Sequence, residues 1–185
     1  MTHDIAIAIA GRTDVGRMRD HNEDAFLVAD LSDAQASPAV TEERERLIWP
    51  RRALGARGAL FVVADGMGGA AAGELASGMA CAVILEELHA QWADTTDTDP
   101  DRFAQTLRLA TERANQRIHT HATSNPDTKG MGTTATLAGL LGDTLAYVDS
   151  SQVDVGQPAR HFASFSAARE EVAWTRVWAG VHYLP

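Results

Sequence analysis

Hydrophobic and polar positions alternate along the first part of the chain. Residues 5–9 place isoleucine at every second position, which predicts an opening β-strand with its isoleucines on one face. Two apolar runs, residues 25–29 and 59–64, predict further strands. The second run is continuously apolar, which predicts a buried strand, and Asp65 follows it directly. The polar stretch between them, residues 31–57, predicts an exposed insertion that carries no function.

The pattern then changes to the period of a helix. The first predicted helix runs to about residue 91, and its repeating apolar positions are Leu75, Met79, Ala82 and Val83. Asp99 followed by Pro100 is typical of a helix start, because aspartate caps the first turn and proline suits the first helical position. One face of this second helix is predicted from Phe103, Leu107, Ala110, Ala114 and Ile118.

A hairpin closes the patterned part of the chain. Residues 133–141 and 144–148 are apolar runs joined by Gly142 and Asp143, which predicts two antiparallel strands. After residue 148 no clear period remains, although residues 163–178 fit a helix. We therefore divide the chain into residues 1–148 and a divergent tail, residues 149–185.

Composition sets limits on the class of protein. The 185 residues, 45% of them hydrophobic, suit one globular domain. The net charge of −9 excludes a nucleic-acid partner, since phosphate binding needs a basic face. No apolar run is long enough to span a bilayer, so we expect no membrane partner. Cys81 has no cysteine partner, which predicts a cytoplasmic location and a small buried side chain.

Two segments concentrate residues that carry chemistry. The first holds Arg17 and Arg19 just before the adjacent acids Glu23 and Asp24. Arginine offers a planar fork of donors to a phosphate dianion, and adjacent side chains in an extended chain point to opposite sides. Taken alone, this acid pair is more typical of a solvated surface.

The second segment places Asp65 at the end of the buried run, followed by the glycine-rich residues 66–69. A buried carboxylate is costly unless a cation compensates its lost hydration. Glycines let main-chain carbonyls approach such a cation as oxygen ligands. An aspartate that caps the next helix explains the same segment equally well.

Together these motifs resemble the type 2C protein phosphatases, the PPM family of magnesium- or manganese-dependent serine/threonine phosphatases. The resemblance rests on R-x-x-N-E-D, then D-G-M-G-G, then G-M-G-T-T, in that order over residues 5–148. Met67, where the animal enzymes have histidine, indicates the bacterial branch. The resemblance implies an α+β fold, an α-β-β-α sandwich of two antiparallel sheets flanked by helices. We expect that fold to be incomplete at its C-terminal end.

The resemblance also implies roles for individual residues. Arg19 matches the arginine that holds the substrate phosphate, and Asp24 an acid hydrogen-bonded to metal-bound water. The implied metal ligands are Glu23, Asp65 as the bridge between two cations, and the carbonyl of Gly66. Gly132, Thr133 and Thr134 match a structural motif and receive no chemistry.

The implied reaction is attack by metal-activated water on phosphoserine and phosphothreonine in proteins, without a phospho-enzyme. The cofactors are Mg²⁺ or Mn²⁺, two in the family. The implied partners are phosphoproteins made by a bacterial serine/threonine kinase. Cys81 lacks a surrounding phosphate loop and is not predicted to act as a nucleophile.

The tail departs from the family pattern. The family continues into Gly-Asp-Ser-Arg and later aspartates that complete one metal position, but residues 149–152 read Asp-Ser-Ser-Gln and no aspartate follows Asp154. We therefore expect at most one well-formed cation site and doubtful activity. Three hypotheses stay open: a truncated or frameshifted phosphatase, which the tail's composition favours; a non-catalytic phosphoprotein-binding module; and a nonfunctional gene remnant.

Overall fold

Two antiparallel sheets and two long helices make up the described fold. A computed structural model describes residues 5–17, 19–32, 46–68, 70–92, 98–150 and 168–169. Its elements in chain order are β1 (Ala6–Arg12), β2 (Asp24–Asp30), β3 (Arg46–Ala53), β4 (Ala59–Met67), α1 (Ala70–Trp92), α2 (Pro100–Ser124), a short 3-10 helix (Pro126–Thr128), β5 (Gly132–Thr133), β6 (Ala135–Leu141), β7 (Thr144–Ser150) and β8 (Ala168–Arg169). The expected α+β class is confirmed, with two antiparallel sheets and, among the described residues, both long helices packed against the larger one.

The larger sheet has the order β2-β4-β6-β7-β8, with β5 paired to β4, and the smaller sheet pairs β1 with β3. Both long helices cover one face of the larger sheet, where aliphatic side chains, Trp92 and Phe103 form the main core. The opposite face of β2 and β4 packs against the smaller sheet through a second cluster around Phe26 and Val28. The inward side chains of the two sheets alternate with those that face the helices, as strand geometry requires.

The predicted strands match the structure where the hydrophobic alternation is regular. The isoleucines of β1 share the less exposed face, and β2 forms as expected. The predicted hairpin also forms, although its first strand begins at Ala135 because Thr133 lies in β5 and pairs with β4. Gly142 has a φ of +57°, which the two-residue turn of that hairpin requires. Strand β4 is longer than predicted, because it continues through Asp65 to Met67. Asp65 therefore lies within the strand rather than after it.

The predicted exposed insertion, residues 31–57, is wrong for β3. Leu47 and Trp49 point toward the larger sheet and pack on its second cluster. Pro50 hides this strand from sequence reasoning because proline is usually excluded from sheets. It is tolerated here, where the register with β1 shifts between Ile7 and Ile9. Residues 33–45 of that prediction lie outside the described residues.

Helix α2 matches its prediction in both its range and its buried face. Helix α1 matches only in its range. The Asp99 side chain accepts a hydrogen bond from the main-chain N–H of Asp101, and every residue of the predicted apolar face of α2 is buried. In α1, Val83 is buried but Leu75 and Ala82 are exposed, so the predicted face is wrong. The buried positions begin with small side chains at Ala72, Ala76 and Ala80 and continue with Ile84, Leu88 and Trp92. Among the described residues, no helix is both long enough and apolar enough to cross a bilayer.

The tail is described only at residues 168–169, which pair with the start of β7. A helix is wrong at those two positions, and the rest of the predicted helix, residues 163–178, lies outside the described residues. The predicted boundary at residue 148 stays a prediction.

An ion pair joins the smaller sheet to the end of β2. The Arg52 guanidinium donates to the carboxylate of Asp30 at 2.8 Å and lies over the Trp49 ring at 4.8 Å. Asp30 is 7% exposed in its side chain. We expect Arg52→Ala to lower the free energy of unfolding by about 1–3 kcal/mol, because it leaves a buried carboxylate without its counter-ion. Urea denaturation measures the change. The exposed neighbour Arg51→Ala is the control, and equal effects of the two variants would contradict the assignment.

Candidate metal and phosphate site

Two carboxyl groups face each other at one end of the larger sheet. Asp24, the first residue of β2, is the register partner of Asp65 in β4. Side chains two residues apart on a strand lie on the same face, so Asp24 and Asp65 share a face with the pairs Phe26–Val63 and Val28–Phe61. Those four apolar side chains pack between the two sheets. The acid pair therefore lies at the open end of the inter-sheet core.

The environment of Asp24 disfavours its charged form. Burial raises the pKa of this carboxyl from 3.8 to about 6, and the nearby charge and hydrogen bond of Asp65 add to the rise, as does Glu23. The positive charge of Arg19 lowers the pKa of Asp24. Two carboxyl groups held this close either share a proton or need a cation to balance them.

Glu23 points to the other side of the strand, as its alternation with Asp24 predicts. Its carboxylate lies against Gly73 in the first turns of α1, since a Cβ added to that glycine would come within 2.6 Å of Oε2. Arg19 Nη1 lies 3.7 Å from the same carboxylate oxygen. The Arg19 side chain is 61% exposed and that of Glu23 only 13%, so the guanidinium stands at the mouth of the site.

The main chain around Glu23 and Asp24 is held by residues that sequence reasoning missed. The buried Asn22 side chain accepts from the N–H of Asp24 at 3.1 Å and donates to Thr13 at 2.7 Å. The Glu23 carbonyl accepts from the N–H of Gly66 at 3.1 Å and from the Ser77 hydroxyl at 2.6 Å. An asparagine two residues before a strand acid is a local signal that was available, because such side chains bond the main chain two positions on. Ser77 gave no local signal.

Asp65 is held in the same way from the other side of β4. The main-chain N–H of Thr134 donates to the Asp65 carbonyl at 2.9 Å, and the Thr133 hydroxyl donates to it at 3.0 Å. The motif that received no chemistry thus fixes the backbone of the central acid.

Gly66 lies where three segments meet. A Cβ at this position would come within 2.2 Å of the Gly73 carbonyl oxygen and 2.5 Å of the Glu23 carbonyl oxygen. Gly68, with a φ of +124°, brings the chain against the main chain of Met131. These close approaches bring the predicted site residues Arg19, Glu23, Asp24, Asp65 and Gly66 to one end of the sheet. Gly69 lies outside the described residues.

The donor set suits a hard divalent cation. Carboxylate and carbonyl oxygens are the ligands that Mg²⁺ prefers, and this ion often needs only one or two carboxylates because it keeps several waters. Over the described ranges, no three His, Cys, Asp or Glu side chains come together as a ready-made metal cluster. Asp24, Asp65 and the Gly66 carbonyl therefore fit a cation that keeps several water ligands. The Glu23 carboxylate approaches the same end of the sheet from the side of α1, close enough for its charge to raise the pKa of Asp24.

Cys81 plays no part in this chemistry. It is fully buried in the main core, and burial raises the pKa of its thiol to about 12. A thiol that stays protonated is a poor nucleophile, so the expected role as a small buried side chain is confirmed.

Comparison with known proteins gives a consistent assignment. The family model for protein phosphatase 2C matches residues 53–157. The serine/threonine phosphatases stp of Listeria welshimeri and Listeria monocytogenes are each 34% identical over 128 residues, which is 69% of this chain and 40% of theirs. The serine/threonine phosphatase structure of S. agalactiae superposes with a TM-score of 0.53 at 23% identity, over 77% of this chain and 48% of that one.

The chain thus spans less than half the length of each of these three relatives. The family model nevertheless covers more than half of the chain, and the fold agrees with the solved phosphatase. The expected relationship to bacterial phosphatases of the PPM (type 2C) family is confirmed, and the chain belongs to the protein phosphatase 2C family.

Proposed function

We propose that this chain carries a site for Mg²⁺- or Mn²⁺-dependent hydrolysis of phosphoserine and phosphothreonine in proteins. The observation that carries the proposal is the buried acid pair, Asp24 opposite Asp65, in a chain of the protein phosphatase 2C family. Two facing carboxyl groups at a sheet end repel each other when both are charged, which destabilises the fold unless a cation balances them. Binding of a cation explains why they are there.

The residues around the pair suit a phosphate ester. Arg19 is exposed beside Glu23 and can offer its planar fork of donors to the phosphate oxygens. The Asp24 carboxyl can hold a proton below about pH 6 and accept one above it. When bound, a divalent cation supplies an activated water and stabilises charge on the attacking and leaving oxygens. We propose one cation site, a cytoplasmic location, and phosphoprotein substrates made by a serine/threonine kinase.

Hydrolysis of para-nitrophenyl phosphate and of a phosphothreonine peptide by the purified chain tests this function. We expect turnover with Mn²⁺ and only background hydrolysis with EDTA, because the facing carboxyl groups need a cation to organise water. A phosphotyrosine peptide serves as the comparison substrate. Absence of turnover at saturating Mn²⁺ would contradict the proposal.

A second function, phosphoprotein binding without turnover, has one observation in its favour. The described side chains do not form a cluster of three metal ligands. Retention of the phosphothreonine peptide by the chain separates the two functions. A binding module would retain the peptide in EDTA without hydrolysing it and would lose it with Arg19→Ala. Arg17→Ala, an exposed arginine in the same loop, is the matched control.

A further inference from the structure

Helix α1 makes two contacts with Glu23 that no motif accounts for. All three heavy atoms nearest to a Cβ added at Gly73 belong to the Glu23 side chain: Oε2 at 2.6 Å, Cδ at 2.8 Å and Cγ at 3.1 Å. One turn later, the Ser77 hydroxyl donates to the Glu23 carbonyl at 2.6 Å. Ser77 is 1% exposed, so this contact is sealed from water. The helix therefore touches both the carboxylate and the main chain of the same residue.

A glycine at this place in a helix needs a reason. Glycine is about 1 kcal/mol less favourable than alanine in a helix interior, because it loses more backbone freedom on folding. Gly73 does not have a positive φ, so its backbone conformation does not require glycine. What fills the space where a methyl group would lie is the Glu23 carboxylate.

Close packing of α1 on β4 does not explain Gly73. That packing uses the Gly73 carbonyl, which lies against Gly66, whereas the three atoms nearest to the missing Cβ all belong to the Glu23 side chain. The nearest neighbours of a methyl group at Gly73 would be the end of a flexible side chain rather than backbone. Alanine can therefore be accommodated by a movement of the carboxylate, and the fold is expected to survive the substitution.

We propose that Gly73 is a positioning residue, which with Ser77 holds the Glu23 carboxylate where a divalent cation at the Asp24–Asp65 end of the sheet can use it. The inference rests on the proposed function and adds a residue to it that neither the motifs nor the comparisons assign. Gly73 acts through Glu23 and touches neither substrate nor cation.

Mn²⁺ binding tests the positioning role without any measurement of activity. Electron paramagnetic resonance of free Mn²⁺ gives the dissociation constant for the full chain. We expect Gly73→Ala to raise it by about 10–100-fold, the range for loss of residues that orient a metal ligand. Gly78→Ala, on the same helix with open space around its Cα, is the matched control and should change it less than about twofold. A Gly73→Ala value within twofold of the wild type would overturn the proposal.

Thermal unfolding in EDTA tests the contact without metal. Gly78→Ala should raise Tm by about 2–4 °C, as expected for removal of a helical glycine from a chain of this size. Gly73→Ala should give that gain only in a Glu23→Ala background, where the carboxylate no longer occupies the space. Equal Tm changes in the two backgrounds would show that Gly73 does not set the position of Glu23. If the wild-type chain binds no Mn²⁺, the proposed function fails, and this comparison still decides whether Gly73 controls Glu23.

Discussion

Asp65→Asn is expected to abolish Mn²⁺-dependent phosphate ester hydrolysis by the chain. Asparagine has nearly the same size and leaves the main-chain bonds to Thr133 and Thr134 in place. It removes the charge opposite Asp24 that a cation needs. Loss of residues that only orient a ligand costs about 10–100-fold, so removal of the central carboxylate should lower kcat/KM by at least about 100-fold. Steady-state kinetics with para-nitrophenyl phosphate and Mn²⁺ binding measure both consequences.

Stability separates this loss from unfolding. In EDTA, Asp65→Asn should melt at the same temperature as the wild type or higher, because it removes repulsion from Asp24. Asp127→Asn, an exposed aspartate in the short 3-10 helix, controls for the substitution itself and should leave both activity and Tm unchanged. An Asp65→Asn enzyme that keeps a third or more of its activity would exclude Asp65 as the central ligand.

The parts of the site that the sequence predicted are those set by neighbours in the chain. Glu23 and Asp24 point to opposite sides because adjacent residues of a strand must do so. The position of Asp65 after an apolar run predicted that it lies toward one end of a buried strand, and β4 continues only two residues beyond it. Such local rules also predicted the cap at Asp99 and the face of α2, where large apolar side chains recur at a single period.

The parts that the sequence did not predict depend on contacts between distant segments. Ser77 lies 54 positions after Glu23 in the sequence, and Gly73 is nearly as distant. The residues around them give no sign that either one faces Glu23. The first turns of α1 bury small residues, among them Ala72, Ala76 and Ala80, whose weak hydrophobic signal was outweighed by Leu75 on the exposed side. Strand β3 was hidden by Pro50, which is tolerated because β3 is an edge strand whose register with β1 shifts there. Tertiary packing decided each of these cases.

Gly66→Ala is expected to prevent stable folding of the chain. The added methyl group would lie 2.2 Å from the carbonyl oxygen of Gly73 and 2.5 Å from that of Glu23, so backbone atoms of two other segments would have to move. Both segments are fixed, the first by α1 and the second by bonds from Gly66 and Ser77. We expect a loss of about 4 kcal/mol or more, a large part of the stability of an ordinary domain. Circular dichroism and urea denaturation measure it.

The same glycine-to-alanine change at three positions distinguishes three physical situations. At Gly66 the methyl group meets backbone that cannot give way, and the fold is lost. At Gly73 it meets the Glu23 carboxylate, which can move, so the fold stays and cation affinity falls. At Gly78 it meets nothing within 4 Å, and the helix becomes more stable. A Gly66→Ala protein that unfolds like Gly78→Ala would show that the β4–α1 contact is looser than these distances require, and the position of Glu23 would then need another explanation.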